Sequence, residues 1–555
     1  MDSAKNGQGG MLEAEKTSPR PIEGAQKSEP RRDGPDPLKS DIDRLPLEII
    51  AYMFEFYVNE TASCLWLPQR GAFLLGAVCQ GWRHIAWTTP PLWTTLVFTF
   101  EETTTENRIQ LAVEWLKRSG GLPLSITLHT YQGPLENESL LVPLIDIINQ
   151  SLSRCGHLEI YGLTSLTWSR FTHIRGPSFL RSLRLSPAAI VTPFDLGSQA
   201  APTNLSISGI HLDFLIINWS NLTSFSAYGL HLNEIFKALL LSPQMITCDQ
   251  NRVMNPISTS PNGYRSLIHS QLKDLRFCLE NNEPNNEAIA TFFQHMTLPN
   301  LKKCTVYTQH TFPANAFTSF LARSYCSMTD LSIFQAVITS EELIRIAKTL
   351  PSIISLTLNH SIFGAGPHVQ PPLNMFFNAL CQDSRYTDRT ILPSDVILLP
   401  SLQYLSISTT HPFPWAWIPG LCHPQSRFDS DGHDHNETCA ASPPSGRPQL
   451  RLISIFRNIY ASDDAVVDDE LILCSIGYLP DSLIESWDTF LELIALKETI
   501  VLSLKIQNAD LEPSDLFELS YRKLEATRGT APEYIRESDW VKSYIARNLE
   551  DVVDD

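Results

Sequence analysis

The feature that most constrains this chain is a short pattern, Leu-x-x-Leu-x-Leu, that keeps returning. It reads Leu180-x-x-Leu183-x-Leu185, Leu222-x-x-Phe225-x-Ala227 and Leu272-x-x-Leu275-x-Phe277. It continues as Leu301-x-x-Cys304-x-Val306, Ile353-x-x-Leu356-x-Leu358, Leu402-x-x-Leu405-x-Ile407 and Leu450-x-x-Ile453-x-Ile455. Leu-Pro pairs precede several copies, at Leu298-Pro299, Leu350-Pro351 and Leu399-Pro400. Weaker copies lie at Leu158-x-Ile160, Leu205-x-Ile207, Met245-x-x-Cys248 and Leu331-x-Ile333. Most steps from Leu183 to Leu356 are roughly 20–29 residues, a period typical of stacked repeats. One strand and one crossover cannot bury their own apolar face, so such units fold only by stacking. An ordinary α/β domain with similar buried strands is the competing reading.

The segments before and after the array read differently. Residues 1–40 hold Gly, Pro, Ser and charge but no aromatic, and are expected to stay disordered because nothing offsets their ordering entropy. A compact helical unit is expected over 41–95. Asp43 is placed to cap a helix with Pro46 in its first turn. Ile49, Ile50, Met53, Phe54 and Tyr57 then share a face at helical spacing. Helices over about 72–79 and from Gly81 to before Pro90-Pro91 follow. Strand alternation at Leu96, Phe98 and Phe100 then exchanges with helical spacing at Ile109, Ala112, Val113 and Leu116, which favours parallel strands joined by helical crossovers. The array is expected to span 96–480, with surface loops inserted at 361–398 and 408–448. Residues 481–555 read as a capping region. In it Leu483, Ile484, Trp487, Leu491 and Ile494 form a helix face, Val501–Ile506 a strand and 532–549 a helix, before an acidic tail.

Composition narrows the function. The formal net charge of -18 disfavours nucleic acid and anionic membranes, which need clustered Lys and Arg. The 11 scattered cysteines fit no disulfide framework and read as buried thiols of a reducing compartment. With no apolar leader and no long apolar run, a cytoplasmic or nuclear protein is expected. No phosphate-cradling loop, zinc-protease helix or nucleophile elbow occurs, so no catalytic role and no cofactor are expected. Cys422-His423, His433-x-His435 and Cys439 are ligand types for zinc, but their spacing fits no standard site and the run reads as a solvated loop.

The unit at 41–95 resembles an F-box. The residues that carry the likeness are Leu45-Pro46-x-Glu48-Ile49, Val78-Cys79-x-x-Trp82-Arg83 and Leu92-Trp93, in that order and ahead of a repeat array. A long stretch from Asn59 to Arg70 between the first two pieces departs from shorter boxes. The whole arrangement is similar to the F-box and leucine-rich-repeat proteins of mushroom-forming, basidiomycete-type fungi. The resemblance implies an α/β fold: an N-terminal three-helix F-box followed by a leucine-rich-repeat-like solenoid with parallel strands and helical crossovers. It implies the substrate-recognition subunit of a Skp–cullin–F-box ubiquitin ligase, in which the box binds a Skp-type adaptor and, through it, a cullin. Leu45, Pro46 and Ile49 would insert into the adaptor, with Val78, Cys79 and Trp82 beside them. The repeats would bind a protein substrate that the sequence does not identify. Two alternatives stay open: Ile49, Val78 and Trp82 merely hold the helices together, or the chain is a repeat scaffold that engages no ligase.

Overall fold

A computed structural model describes residues 45–409 apart from 63–69, 102–103, 131–137, 189–191, 255–265, 280–286, 360–372 and 382–397. Beyond 409 it describes 451–459, 501–508 and short pieces between 490 and 543.

Three helices come first: α1 (Leu47–Ala62), α2 (Arg70–Val78) and α3 (Gln80–Thr88). Strand β1 (Thr95–Phe100), α4 (Glu106–Arg118), β2 (Leu124–Thr130), α5 (Val142–Ser151), β3 (Cys155–Tyr161) and the short α6 (Ser165–Trp168) follow. Next stand β4 (Ser182–Ser186), β5 (Phe194–Asp195), β6 (Asn204–Ser208), β7 (Leu215–Ile216), β8 (Ser224–Tyr228), α7 (Leu232–Leu241), β9 (Thr247–Val253) and β10 (Leu267–Ile268). Strand and helix then alternate through β11 (Asp274–Leu279), α8 (Glu287–His295), β12 (Met296–Thr297), β13 (Lys303–Tyr307), α9 (Ala314–Ser324), β14 (Asp330–Phe334), α10 (Ser340–Lys348), β15 (Ser355–Asn359) and α11 (Asn374–Cys381). The last strands are β16 (Tyr404–Thr409), β17 (Leu452–Ile459), β18 (Val501–Asn508) and β19 (Ser514–Asp515).

The repeated pattern builds one 15-stranded sheet, with order β1-β2-β3-β4-β6-β8-β9-β11-β13-β14-β15-β16-β17-β18-β19. All neighbours are parallel except β19, which is antiparallel to β18. The fourth pattern position pairs with itself from repeat to repeat: Leu158 with Leu183, Leu183 with Leu205, Leu205 with Phe225, and on to Leu356 with Leu405. The sixth position forms a second ladder, from Phe98 and Leu128 through Leu185 and Ile207 to Leu358 and Ile407. The first position, as at Leu180, Leu222, Leu272, Leu301, Ile353 and Leu402, is buried below each strand. These three rows face the crossovers, where for example the rings of Phe277 on β11 and Phe292 on α8 lie 5.0 Å apart. A slip of one residue in any strand would turn its leucines to solvent, so the apolar rows fix the register. Backbone pairing runs one residue below the strands too: Thr223 N–H donates to the Thr203 carbonyl at 2.8 Å, and Lys302 N–H to that of Lys273 at 2.8 Å.

Several expectations need correction. Not every crossover is helical. Among the described residues, β4, β6 and β8 are joined without an α-helix of their own, and β5 pairs with β7 in a small parallel sheet of its own. Those two steps, Leu183 to Leu205 and Leu205 to Phe225, are the shortest in the array. The stretch 361–398, read as a loop, holds α11, with Phe376, Phe377 and Leu380 buried; the Pro, Gly and His around it masked a short apolar run. Pro46 precedes α1 rather than sitting in its first turn, and its carbonyl accepts the Ile49 and Ile50 N–H groups at 3.0 and 3.2 Å. The sheet also runs past 480, because β18 pairs with β17. Asp43, residues 1–40, the insert from 410 onward and Leu483, Ile484, Trp487 and Leu491 lie outside the described residues. The helix expected over 532–549 is described only at 533–536 and 541–543.

Candidate functional site

The three N-terminal helices offer the first candidate surface. Helix α1 is apolar on two sides. Ile50 and Phe54 turn inward and are buried, the latter with its ring 4.9 Å from that of Trp82. Ile49, Tyr52, Met53 and Phe56 repeat at helical spacing on the other side and are exposed; Leu47 and Phe56 are each 61% exposed and Tyr52 68%. Leu74 and Val78 of α2 are exposed as well. The sequence reading put Ile49, Ile50, Met53, Phe54 and Tyr57 on a single face; the helix divides them. Exposed apolar side chains grouped on one helix face make this a candidate docking surface.

The structure places the six residues singled out in the sequence as follows. Leu45, Pro46, Ile49, Val78 and Cys79 are exposed. Cys79 is the N-cap of α3, and its Sγ accepts the Trp82 N–H at 3.4 Å. Trp82 is half-buried against Phe54, so it belongs more to the fold of the unit than to its surface. Leu47, Tyr52, Phe56 and Leu74 were missed. The signal available for them was that apolar residues reach around more of α1 than one buried face needs, leaving, as far as Asn59, only the stripe of Glu48, Glu55 and Asn59 polar. Arg83 serves the interior, donating from Nε to the Gly76 carbonyl at 2.8 Å.

An aromatic joint fastens this unit to the sheet. Trp93 is fully buried, and its Nε1 donates to the Ala86 carbonyl at 2.9 Å. Its ring meets Trp115 of α4 at 4.6 Å, Trp87 of α3 at 5.4 Å and Phe73 of α2 at 5.8 Å. Arg118 covers Trp87 and Trp93 at 4.8 and 5.0 Å, a cation–π arrangement.

The second candidate surface is the open face of the sheet, opposite the crossovers. At its N-terminal part, Glu159 accepts from His157 Nε2 at 3.1 Å and from Arg184 Nη1 at 3.2 Å. The hydrogen bond from His157, aided by Arg184 and Tyr161, holds the Glu159 carboxyl down at about 2. The next strands carry small side chains, Ser182, Asn204, Ser206, Ser224 and Ser226. Beyond them stand Asp249, Asp274, Arg276, Lys303 and Asp330. Burial, with Asp249 and Asp330 nearby, raises the Asp274 carboxyl from its ordinary range although Lys303 pulls the other way. Along the strand exits, Tyr307 and Phe334 stack with ring centres 6.4 Å apart, and Arg252 lies over the Tyr228 ring at 5.7 Å.

Three buried cysteines are held as thiols. Burial pushes the Cys155 and Cys248 thiols up to about 12 and raises Cys304 too, and a thiol is not the attacking form. Among the described residues, no group of three or more His, Cys, Asp or Glu side chains could hold a metal ion. The run from Cys422 to Cys439 lies outside them. Nor is any described helix long and apolar enough to cross a membrane. Compared with models of known protein families and with curated proteins, the chain matches none.

Proposed function

We propose that α1–α3 form an F-box and that the chain is a substrate receptor of a Skp–cullin–F-box ubiquitin ligase, with the sheet binding the target. One observation carries this reading: among the described residues, nothing covers the apolar face formed by Ile49, Tyr52, Met53, Phe56 and Val78, on a unit packed on its other side. The exposed Leu45, Pro46 and Ile49, which match the F-box pattern, lie on or beside that face. Large apolar side chains that become desolvated on docking are where binding energy concentrates. The chain would supply no bond-making chemistry. It would raise the effective concentration of a target lysine near a ubiquitin carrier, which is a positional effect. Such a receptor works in the cytoplasm or nucleus, in keeping with the unpaired thiols Cys79, Cys155, Cys248, Cys278, Cys304 and Cys326.

The test is a pull-down of the full chain on an immobilised Skp-type adaptor. Wild type is expected to bind, and Ile49→Asp/Phe56→Asp to lose binding while keeping its circular dichroism. A folded wild type that does not bind, or a double variant that binds equally, overturns the reading.

A further inference from the structure

We propose that the outer edge of β1 pairs with the same edge of a second copy of this chain, antiparallel and about a two-fold axis, so that one sheet runs through both. The inference stands apart from the adaptor reading and uses a different part of the chain.

Unpaired backbone is the first reason. Strand β1 ends the 15-stranded sheet and has β2 on one side only. Ser125 N–H donates to the Thr94 carbonyl at 2.9 Å, and Thr95 stands opposite Ser125. In a parallel ladder this turns the backbone groups of Leu96 and Phe98 towards β2 and those of Thr95, Val97 and Thr99 away from it. No described residue bonds the outward N–H or C=O of Thr95, Val97 or Thr99. Backbone groups in a folded protein are nearly always paired or wetted, so this row is a template for another strand. Thr95 is exposed and Val97 and Thr99 are half-buried, so solvent reaches the row. The other end of the sheet differs: β19 lies antiparallel along β18 at Lys505 and Ile506.

The strand itself is the second reason. Strands left at the edge of a sheet commonly carry a charge, a proline or a bulge that turns a neighbour away. Strand β1 reads Thr-Leu-Val-Phe-Thr-Phe and pairs with β2 in unbroken register, so it has none of these. An uncharged edge offers a charged segment no counter-charge and fits an uncharged strand.

Self-complementarity selects the second copy. With Val97 on the axis, Val97 faces its own mate and Thr95 faces Thr99. Each outward N–H of one copy then meets an outward C=O of the other with none left over. Leu96 falls opposite Phe98 on the crossover side, and β-branched side chains meet on the open face, both favourable cross-strand pairs. The same edge on both copies makes an isologous contact, which closes at two chains. A head-to-tail stack would need a bare edge on β18, and β19 occupies part of it. The net charge of -18 opposes self-association at long range, and physiological salt screens that repulsion beyond about 8 Å.

The experiment is sedimentation velocity of the full chain at physiological salt, with no adaptor present, up to about 100 μM, where even a contact with a Kd of that order shows as dimer. A dimer that grows with concentration is expected. Val97→Lys places like charges opposite each other and should weaken it at least about tenfold. Ile49→Asp/Phe56→Asp, on the apolar face of α1, should leave the dimer unchanged. Cysteine pairing keeps the register testable should Val97→Lys fail to fold. In a Cys79→Ser background, Val97→Cys should give a disulfide-linked dimer under mild oxidation, because mates across the axis lie about 5.5 Å apart. Thr127→Cys, one strand further in, puts its mates about 15 Å apart and should give none above the background chain. Monomer at every concentration, loss of the dimer in the α1 variant, or equal linking through both added cysteines overturns the proposal.

Discussion

Gln250 breaks the sixth-position ladder. Its register neighbours are Ala227 on β8 and Phe277 on β11, and the other strands of the row carry apolar side chains. It is 1% exposed. Its Nε2 donates to Cys248 Sγ at 3.3 Å, while its Oε1 has no partner among the described residues. Replacing it by leucine keeps roughly the same volume and removes both polar atoms. Losing an unpaired buried acceptor returns about 1–3 kcal/mol, and the weak bond to the thiol forfeits about 0.5–1 kcal/mol. Added apolar burial contributes about 0.8 kcal/mol per methylene equivalent. Gln250→Leu should therefore stabilise the fold by about 1–3 kcal/mol. Because stability in a stacked array is local, the change belongs in amide exchange of β8, β9 and β11 as well as in the urea midpoint. A variant that unfolds earlier, with faster exchange in those strands, would refute the reasoning: the amide would then hold a bond worth more than its burial costs.

Three further outcomes follow from the same coordinates. A Cβ at Gly76 would stand 2.0 Å from the Trp87 ring, so Gly76→Ala should cost about 1–3 kcal/mol and expose the helical unit to limited proteolysis before the sheet. Glu159 titrates at about 2 in the fold, below its ordinary 4.5, so its contribution is fully present above about pH 4.5 and is lost as pH falls towards 2. Glu159→Gln should flatten stability across that window by about 1 kcal/mol, given the solvent around Arg184, and acid denaturation curves that superimpose would contradict this. In native chain at neutral pH, iodoacetamide should label exposed Cys79 well before Cys155, Cys248 or Cys304, and peptide mass mapping reads the order.

The fold could be read from the sequence wherever one physical rule acted alone. Inward leucines repeat with the strands, and their spacing carried the register across the sheet. Where rules competed, reading failed. The crossovers from β4 to β8 lack helices because their steps are short, which a count of residues could have shown. Helix α11 hid between segments rich in Pro and Gly. In α1, periodicity identified an apolar helix but could not say that Ile50 and Phe54 turn inward while Ile49, Met53 and Phe56 stay out. That division depends on where α3 sits. The open-face charges were invisible for a related reason. Asp249, Asp274 and Asp330 are far apart in the chain, and only the register, once known, makes them neighbours.

The two candidate surfaces gain meaning from what joins them. Trp93, at the hinge of sequence between helical unit and first strand, is buried against residues of α2, α3 and α4 at once, with Arg118 closing the stack. A flexible tether would let the helical unit wander, and the proximity it provides would be averaged over many orientations. A packed aromatic joint instead gives the apolar face of α1 one orientation relative to β1, because close-packed side chains admit few alternatives. The in-register sheet passes that orientation on, strand by strand, to Asp249, Asp274 and Asp330. For the receptor proposed above, whose effect would be positional, this continuity would matter as much as either surface, since affinity at both ends accomplishes little unless the target is held where the reaction occurs.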